Sequence, residues 1–265
     1  MNKLTISIVS HGQADMIKKV LGDFMKLSIE PAAVIITHNL PEDAQIDPDA
    51  YSFKVKIIAN RSPQGFGANH NAAFEAGSSE FFCVMNPDVR LDMNPFPVLM
   101  ESVSSGHIGI AAPLVSNESG AVEDSARYFV TPGQLIGRMF RKRAGIIPEL
   151  LQRDCPGLMH PDWIAGICMM FHTDTFRAVG GFDEGYRLYY EDVDICARMR
   201  IKGFEIALCP KARIIHYTQN ERFRNIRHLH WHIASVARYF SSDVYRKVRS
   251  RRLFPDAGTN RPSDR

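Results

Sequence analysis

Residues 4–10 read Leu-Thr-Ile-Ser-Ile-Val-Ser, and residues 81–88 read Phe-Phe-Cys-Val-Met-Asn-Pro-Asp. Both are short apolar runs of strand length, and the second ends on a turn dipeptide and a carboxylate. Between them, Met16, Val20, Leu21 and Phe24 recur at helical spacing, Ala32–Thr37 and Phe53–Ala59 read as strands, and Phe66–Ala76 reads as a helix. Strand and helix alternate. That pattern predicts an α/β fold with a mostly parallel central sheet and helices on both faces. Ligands of such sheets sit at the C-terminal ends of the strands, so the residues just past each strand carry the chemistry.

Outward from this core, residues 116–161 are irregular. They hold Pro132, Gly133, Gly137, Gly145, Pro148, Pro156 and Gly157 and the basic run Arg138-Met139-Phe140-Arg141-Lys142-Arg143, as a lid or binding loop would. Regular structure is predicted again as a strand at Ile164–Phe171, a helix over 191–202, and strands at Glu205–Cys209 and Arg213–Tyr217. After Arg224 one long helix is expected, with Leu229, Ile233, Val236, Phe240, Val244 and Val248 on a single apolar stripe that packs on the body. This divides the chain into a main domain over 1–220, a basic amphipathic extension over 221–252 packed on it, and a disordered tail over 253–265.

Composition agrees with a globular protein. Of 265 residues, 45% are hydrophobic and 23% charged, which excludes a disordered chain, a collagen-like fibre and a disulfide-stapled miniprotein. Net charge is only +3, yet residues 221–265 carry 11 Lys and Arg against 4 Asp and Glu. A basic end on a mildly acidic body suggests an anionic surface or ligand there, or simply a solvated helix. The 5 cysteines form no CxxC pair and several lie in apolar runs, as reduced thiols of a cytoplasmic protein do. The first residues are too polar for a signal peptide, and no apolar stretch reaches the ~20 residues that span a bilayer.

Several residues could carry chemistry. Asp88, at the mouth of a central strand, is placed to hold Mg²⁺ or Mn²⁺ against a diphosphate, although Asn-Pro-Asp is also an ordinary turn. Glu191, Asp192 and Asp194 stand where a helix should begin; they can serve the helix dipole, or one can act as a general base. Asp194 and Arg198, four apart, could form a surface pair. His216 ends a strand and could complete a metal site. The turn Gly65-Phe66-Gly67-Ala68-Asn69-His70-Asn71 suits an anion but fails the dinucleotide fingerprint, because His70 occupies the third glycine position. His228, His230 and His232 lack the spacing and partners of a zinc site.

In this order the pieces resemble an inverting family 2 glycosyltransferase of the GT-A nucleotide-sugar fold. The resemblance rests on Ser7–Gly12, Gly65–Asn69, Asn86-Pro87-Asp88, Asp162–Gly166, Gly181–Tyr186, Tyr190–Asp194 with Arg198 and Gly203, His216, and Trp231–Tyr239. Within that family the chain is most similar to bacterial rhamnosyltransferases of O-antigen and cell-wall assembly. The resemblance implies transfer of L-rhamnose from dTDP-L-rhamnose to a polyprenyl-diphosphate-linked GlcNAc at the cytoplasmic face of the membrane, with no nucleic acid involved. It implies Asp192 as catalytic base and Asp88 with His216 as ligands of a divalent metal. Ser10, His11, Gly12, His38, Asn39, Asn60, Gly65, Asn69, Asn86 and Asp88 would line the donor; Trp163, Gly166, Glu191, Arg141 and Arg143 would shape the sugar and acceptor pocket. One position departs from the family pattern: His38 stands where an Asp usually accepts the pyrimidine N3–H. A neutral imidazole could still accept that bond. Another nucleotide sugar on the same scaffold, or a binding module without activity, are the alternatives.

Overall fold

The computed structural model describes residues 3–42, 46–135, 157–217, 226–251 and 253. Ten strands are present among them: β1 (Leu4–Ser10), β2 (Ala33–His38), β3 (Val55–Ala59), β4 (Phe81–Met85), β5 (Val89–Arg90), β6 (Ile108–Asn117), β7 (Ala126–Arg127), β8 (Trp163–Ile164), β9 (Cys168–His172) and β10 (Glu205–His216). The helices are α1 (Ala14–Lys26), α2 (Phe66–Glu75), α3 (Phe96–Ser104), α4 (Thr173–Ala178), α5 (Glu191–Ile201), α6 (Ile226–Ser241) and α7 (Asp243–Ser250).

Eight strands form one sheet in the order β3-β2-β1-β4-β9-β6-β10-β5; β7 and β8 pair separately. Six of the eight run in one direction, and only β9 and β5 oppose them. The ends of β1, β2, β4, β6 and β10 therefore share one edge, where Ser10, His38, Asn86, Asn117 and His216 collect. Alternate residues of each strand face opposite sides, which splits the interior into two cores. Leu4, Ile6, Ile8, Cys83 and Met170 pack under α1 and α3 on one side. Phe82, Val84, Met169 and Phe171 meet Phe74, Phe176 and Ile195 of α2, α4 and α5 on the other.

Four expectations are corrected. The strand predicted at Ile164–Phe171 is two short strands interrupted at Ala165-Gly166-Ile167, where the Ala165 N–H bonds Ser125 O, the Gly166 N–H turns to Asp192 and the Ile167 carbonyl accepts from Asn86. The two strands predicted at 205–217 are one strand, β10, which passes Pro210 by a register shift between Cys209 and Arg213. The long C-terminal helix breaks at Ser242, whose Oγ accepts the Tyr245 N–H and starts α7. Its apolar stripe is divided: Val248 is buried with Tyr239 and Tyr245 against Tyr186, Val193 and Ala197, whereas Leu229 and Ile233 are 56% and 59% exposed. Four cysteines (83, 168, 196 and 209) are buried free thiols. Residues 136–156, with the basic run, and the tail from 254 lie outside the described residues.

Candidate active site

The ends of β1 and β2 are tied together by side chains that fold inward. Asn39 is buried and acts as a hub: its Nδ2 donates to Gln64 O (3.0 Å) and lies 2.7 Å from His11 Nε2, and its Oδ1 accepts from Asn60 Nδ2 (2.8 Å) and Gln64 N (2.7 Å). Asn60 also donates to Asn69 Oδ1 at 2.6 Å, which draws the start of α2 into the same cluster. Gly65 caps α2 where a Cβ would stand 2.7 Å from the Tyr186 carbonyl, so only glycine fits. Ser10 is buried and its Oγ accepts the Gln13 N–H, shaping the turn at Gly12. His70 bonds Ser7 Oγ at 2.8 Å, and burial pushes its imidazole down to about 3, so it is a neutral core residue. Burial also lowers His11; Arg187 and His228 lower it further, against Glu42.

Glu42 is a residue that the sequence did not single out. Its Oε1 accepts the Gly12 N–H at 3.2 Å and stands 3.1 Å from His38 Nδ1. A carboxylate thus stands beside His38, from four residues on. Burial raises Glu42, but hydrogen bonds from Ser10, His38 and Gly12 outweigh it and hold the carboxyl below its usual range.

The second group lies at the mouths of β4 and β10. His216 is fully buried and stands between two carboxylates: its Nδ1 is 2.8 Å from Glu123 Oε2 and its Nε2 is 3.3 Å from Asp88 Oδ1. Burial lowers the imidazole pKa, and Asp88 and Glu123 together override it, leaving a net rise. Asp88 Oδ1 is buried and makes no hydrogen bond among the described residues. An orphaned carboxylate oxygen facing an imidazole nitrogen fits two ligands of one cation: neighbouring ligands at ~2.1 Å in an octahedron stand ~3.0 Å apart. Glu123 faces the opposite ring nitrogen and cannot join them, and no cluster of three or more metal-type side chains occurs among the described residues.

Asp192 opens α5. Its Oδ1 accepts the Val193 N–H at 2.8 Å and its Oδ2 the Gly166 N–H at 3.3 Å. The next residue, Ile167, accepts the Asn86 N–H at 2.9 Å, so one short loop links Asp192 to the Asn86-Pro87-Asp88 turn. Trp163 pairs with Arg127 across β7 and β8, and the Arg127 guanidinium lies over its ring at 5.5 Å. Burial raises the Asp192 pKa against its backbone donors and Arg127. Burial and the charge of Asp192 push Glu191 up to about 8. Asp194 is not a surface partner: it is buried, and Arg198 reaches from it (2.7 Å) to the Val179 and Gly181 carbonyls (both 2.6 Å), bracing the turn before α5. Of the predicted acceptor residues, Arg141 and Arg143 lie outside the described residues.

The known proteins similar to this chain point the same way. Residues 158–229 match the family described as the N-terminal domain of galactosyltransferase. The rhamnosyltransferase WbbL of Escherichia coli K12 is 27% identical over 89% of this chain and 92% of its own length. The N-acetylglucosaminyl-diphospho-decaprenol L-rhamnosyltransferase of Mycobacterium tuberculosis is 23% identical over 84% of this chain and 78% of its own. The chain is thus similar to rhamnosyltransferases over most of its length. Solved structures carry the same fold at low identity. GalNAc-T7 with UDP, GalNAc and Mn²⁺ aligns with a TM-score of 0.63 at 14% identity, over 94% of this chain and 50% of that one. Staphylococcus aureus TarS 1–349 with UDP-GlcNAc aligns at 0.56 and 12% identity, over 92% and 69%. The GT-A chain thus spans half the length of GalNAc-T7.

Proposed function

We propose that this glycosyltransferase moves L-rhamnose from dTDP-L-rhamnose to a hydroxyl of a polyprenyl-diphosphate-linked GlcNAc, with inversion. The observation that carries the reading is the loop 165–167, which joins the Asp192 carboxylate to the turn bearing Asp88. The rhamnosyltransferase relatives support the choice of sugar.

Asp192 takes the proton of the acceptor hydroxyl as that oxygen attacks the anomeric carbon. Its raised pKa gives it more basicity than a solvated aspartate, and two backbone N–H groups fix its direction. Glu191, protonated at neutral pH, adds no second charge beside it. Asp88 and His216 would hold a divalent ion, Mg²⁺ or Mn²⁺, which supplies positive charge to the departing diphosphate. His11, Asn39, Asn60 and the start of α2 line the donor end, and Glu42 offers a carboxylate for the imide N–H of a thymine or uracil base. No covalent enzyme intermediate is needed.

For the lipid-linked acceptor we take the protein to lie on the cytoplasmic face of the membrane. No helix among the described residues is long and apolar enough to cross a membrane; exposed Leu229 and Ile233, together with the basic α7, support surface contact. In the same reading, residues 1–220 form the catalytic domain and 221–252 its membrane-facing extension. The test is incubation with Mg²⁺, a lipid-diphosphate-GlcNAc analogue and a panel of dTDP-, UDP- and GDP-sugars. A rhamnosyl disaccharide formed from dTDP-rhamnose alone supports the assignment; turnover only with another donor reassigns the sugar, and turnover with none refutes it.

A further inference from the structure

Glu123 approaches the proposed cation site by a route of its own. Past β6 the chain reverses at Asn117, whose Oδ1 accepts the Ser119 and Ala121 N–H groups at 3.0 and 2.9 Å. The returning strand is pinned by the Asn117 N–H on Ala121 O and the Glu123 N–H on Val115 O, both at 2.9 Å. Asn117 is also the register partner of His216 on β10. The hairpin therefore lays the Glu123 side chain against the imidazole, where Oε2 meets Nδ1 at 2.8 Å.

The two sides of that imidazole are unequal. A neutral ring carries one proton and one lone pair. With the proton on Nε2, the Nδ1 lone pair would face a Glu123 oxygen at 2.8 Å, acceptor against acceptor. With the proton on Nδ1, the 2.8 Å contact is an ordinary charge-assisted hydrogen bond. The Nε2 lone pair then faces Asp88 Oδ1 across 3.3 Å, where that oxygen makes no hydrogen bond among the described residues. A positive charge between them, a proton on Nε2 or a bound cation, completes such a pair.

We propose that Glu123 is the positioning residue of this site: it fixes His216 as the Nδ1–H tautomer and turns the Nε2 lone pair toward the cation shared with Asp88. The proposal rests on the reading that Asp88 and His216 hold a divalent ion. A carboxylate behind a ligating histidine orients the ring and raises its basicity, and removing such a partner commonly weakens metal binding ~10–100-fold.

The experiment uses the full chain and Mn²⁺, titrated in the presence of UDP and followed by calorimetry and by the Mn²⁺ EPR signal. Wild type, Glu123→Gln, Glu123→Leu and His216→Ala are compared, with the ¹⁵N shifts of His216 recorded in the wild type above its titration. Expected are a protonated Nδ1 in the wild type, a loss of ~10–100-fold in Mn²⁺ affinity for Glu123→Leu, a smaller loss for Glu123→Gln, and unchanged UDP binding without metal. Wild-type binding that both Glu123 variants retain in full removes the role of Glu123 and leaves the cation reading standing. A proton on Nε2 does the same, even if the leucine variant fails to fold. A wild type that binds no Mn²⁺ with UDP present overturns the cation reading and this proposal together.

Discussion

Glu191→Gln should make the protein less sensitive to alkali than the wild type. Glu191 is 5% exposed, and its Oε2 has no hydrogen-bond partner among the described residues. Burial, and then the charge of Asp192, lift its pKa from 4.5 to about 8. The folded value lies above the unfolded one, so the stabilising contribution of the protonated acid is complete below 4.5 and is lost as pH rises through about 8. At ~1.4 kcal/mol per pH unit, that window is worth at most ~5 kcal/mol, a ceiling because Glu191 and Asp192 titrate together. Glutamine keeps the shape and the neutrality of the protonated acid and feels none of this. Denaturant midpoints measured from about pH 5 to about pH 9 should nearly coincide for the two proteins at the acid end. They should then diverge, with the wild type falling below the variant. Parallel curves across the range would refute the assignment of a neutral, buried Glu191.

Asp192→Asn should lower kcat by ~10²–10⁴ while nucleotide-sugar binding, measured by calorimetry, stays intact; the acid limb of the wild-type rate profile should lie above the ordinary aspartate range, because burial raises this carboxyl. Arg198→Met strips a half-buried strut from buried Asp194 and from the carbonyls of Val179 and Gly181. It should cost ~3–5 kcal/mol in chemical denaturation, the penalty of leaving a buried charge unpaired; a loss typical of a surface pair would contradict the strut. Glu42→Gln places an amide where a carboxylate is proposed to meet the donor base, so affinity for UDP and dTDP should fall and that for CDP should rise, since cytosine N3 is an acceptor. Unchanged base preference in competition binding would remove Glu42 from donor recognition.

The fold was legible because its signals are local. Runs such as Leu4–Ser10 and Phe81–Met85 are buried on both faces and read as strands from composition alone. The short Asn86-Pro87-Asp88 and Glu191-Asp192 motifs were legible too, since each sits at the end of a recognisable element. What failed depends on distant partners. Gly166-Ile167 looks like strand until Asp192 and Asn86 claim its backbone. Pro210 reads as a break, yet β10 absorbs it as an irregularity. Leu229 and Ile233 have the spacing of a buried stripe, but the face of α6 that packs inward carries Ser235 and Tyr239 instead. Glu123 lies 93 residues from the histidine it bonds, inside the irregular segment, and no spacing rule connects them. Leu40-Pro41-Glu42 offered a weak hint, a carboxylate just past the position where one was missing.

The C-terminal helix α6 supports the segment that carries Asp192, a role its amphipathic pattern conceals. Tyr189 and Tyr190 hold φ of 72° and 67°, a left-handed conformation in two successive bulky residues. Each costs ~1–3 kcal/mol and survives only where surrounding contacts impose it. The reversal they make starts α5 so that Asp192 turns back to Gly166. The imposing contacts come largely from α6. The Tyr189 hydroxyl lies 3.1 Å from His228 Nδ1, and its ring meets His232. Tyr190 packs on Tyr239 and Phe240, and Ser235 Oγ donates to Leu188 O at 2.8 Å. His228 and His232 of α6 thus act as aromatic and hydrogen-bonding supports of the segment that carries Asp192, the proposed general base.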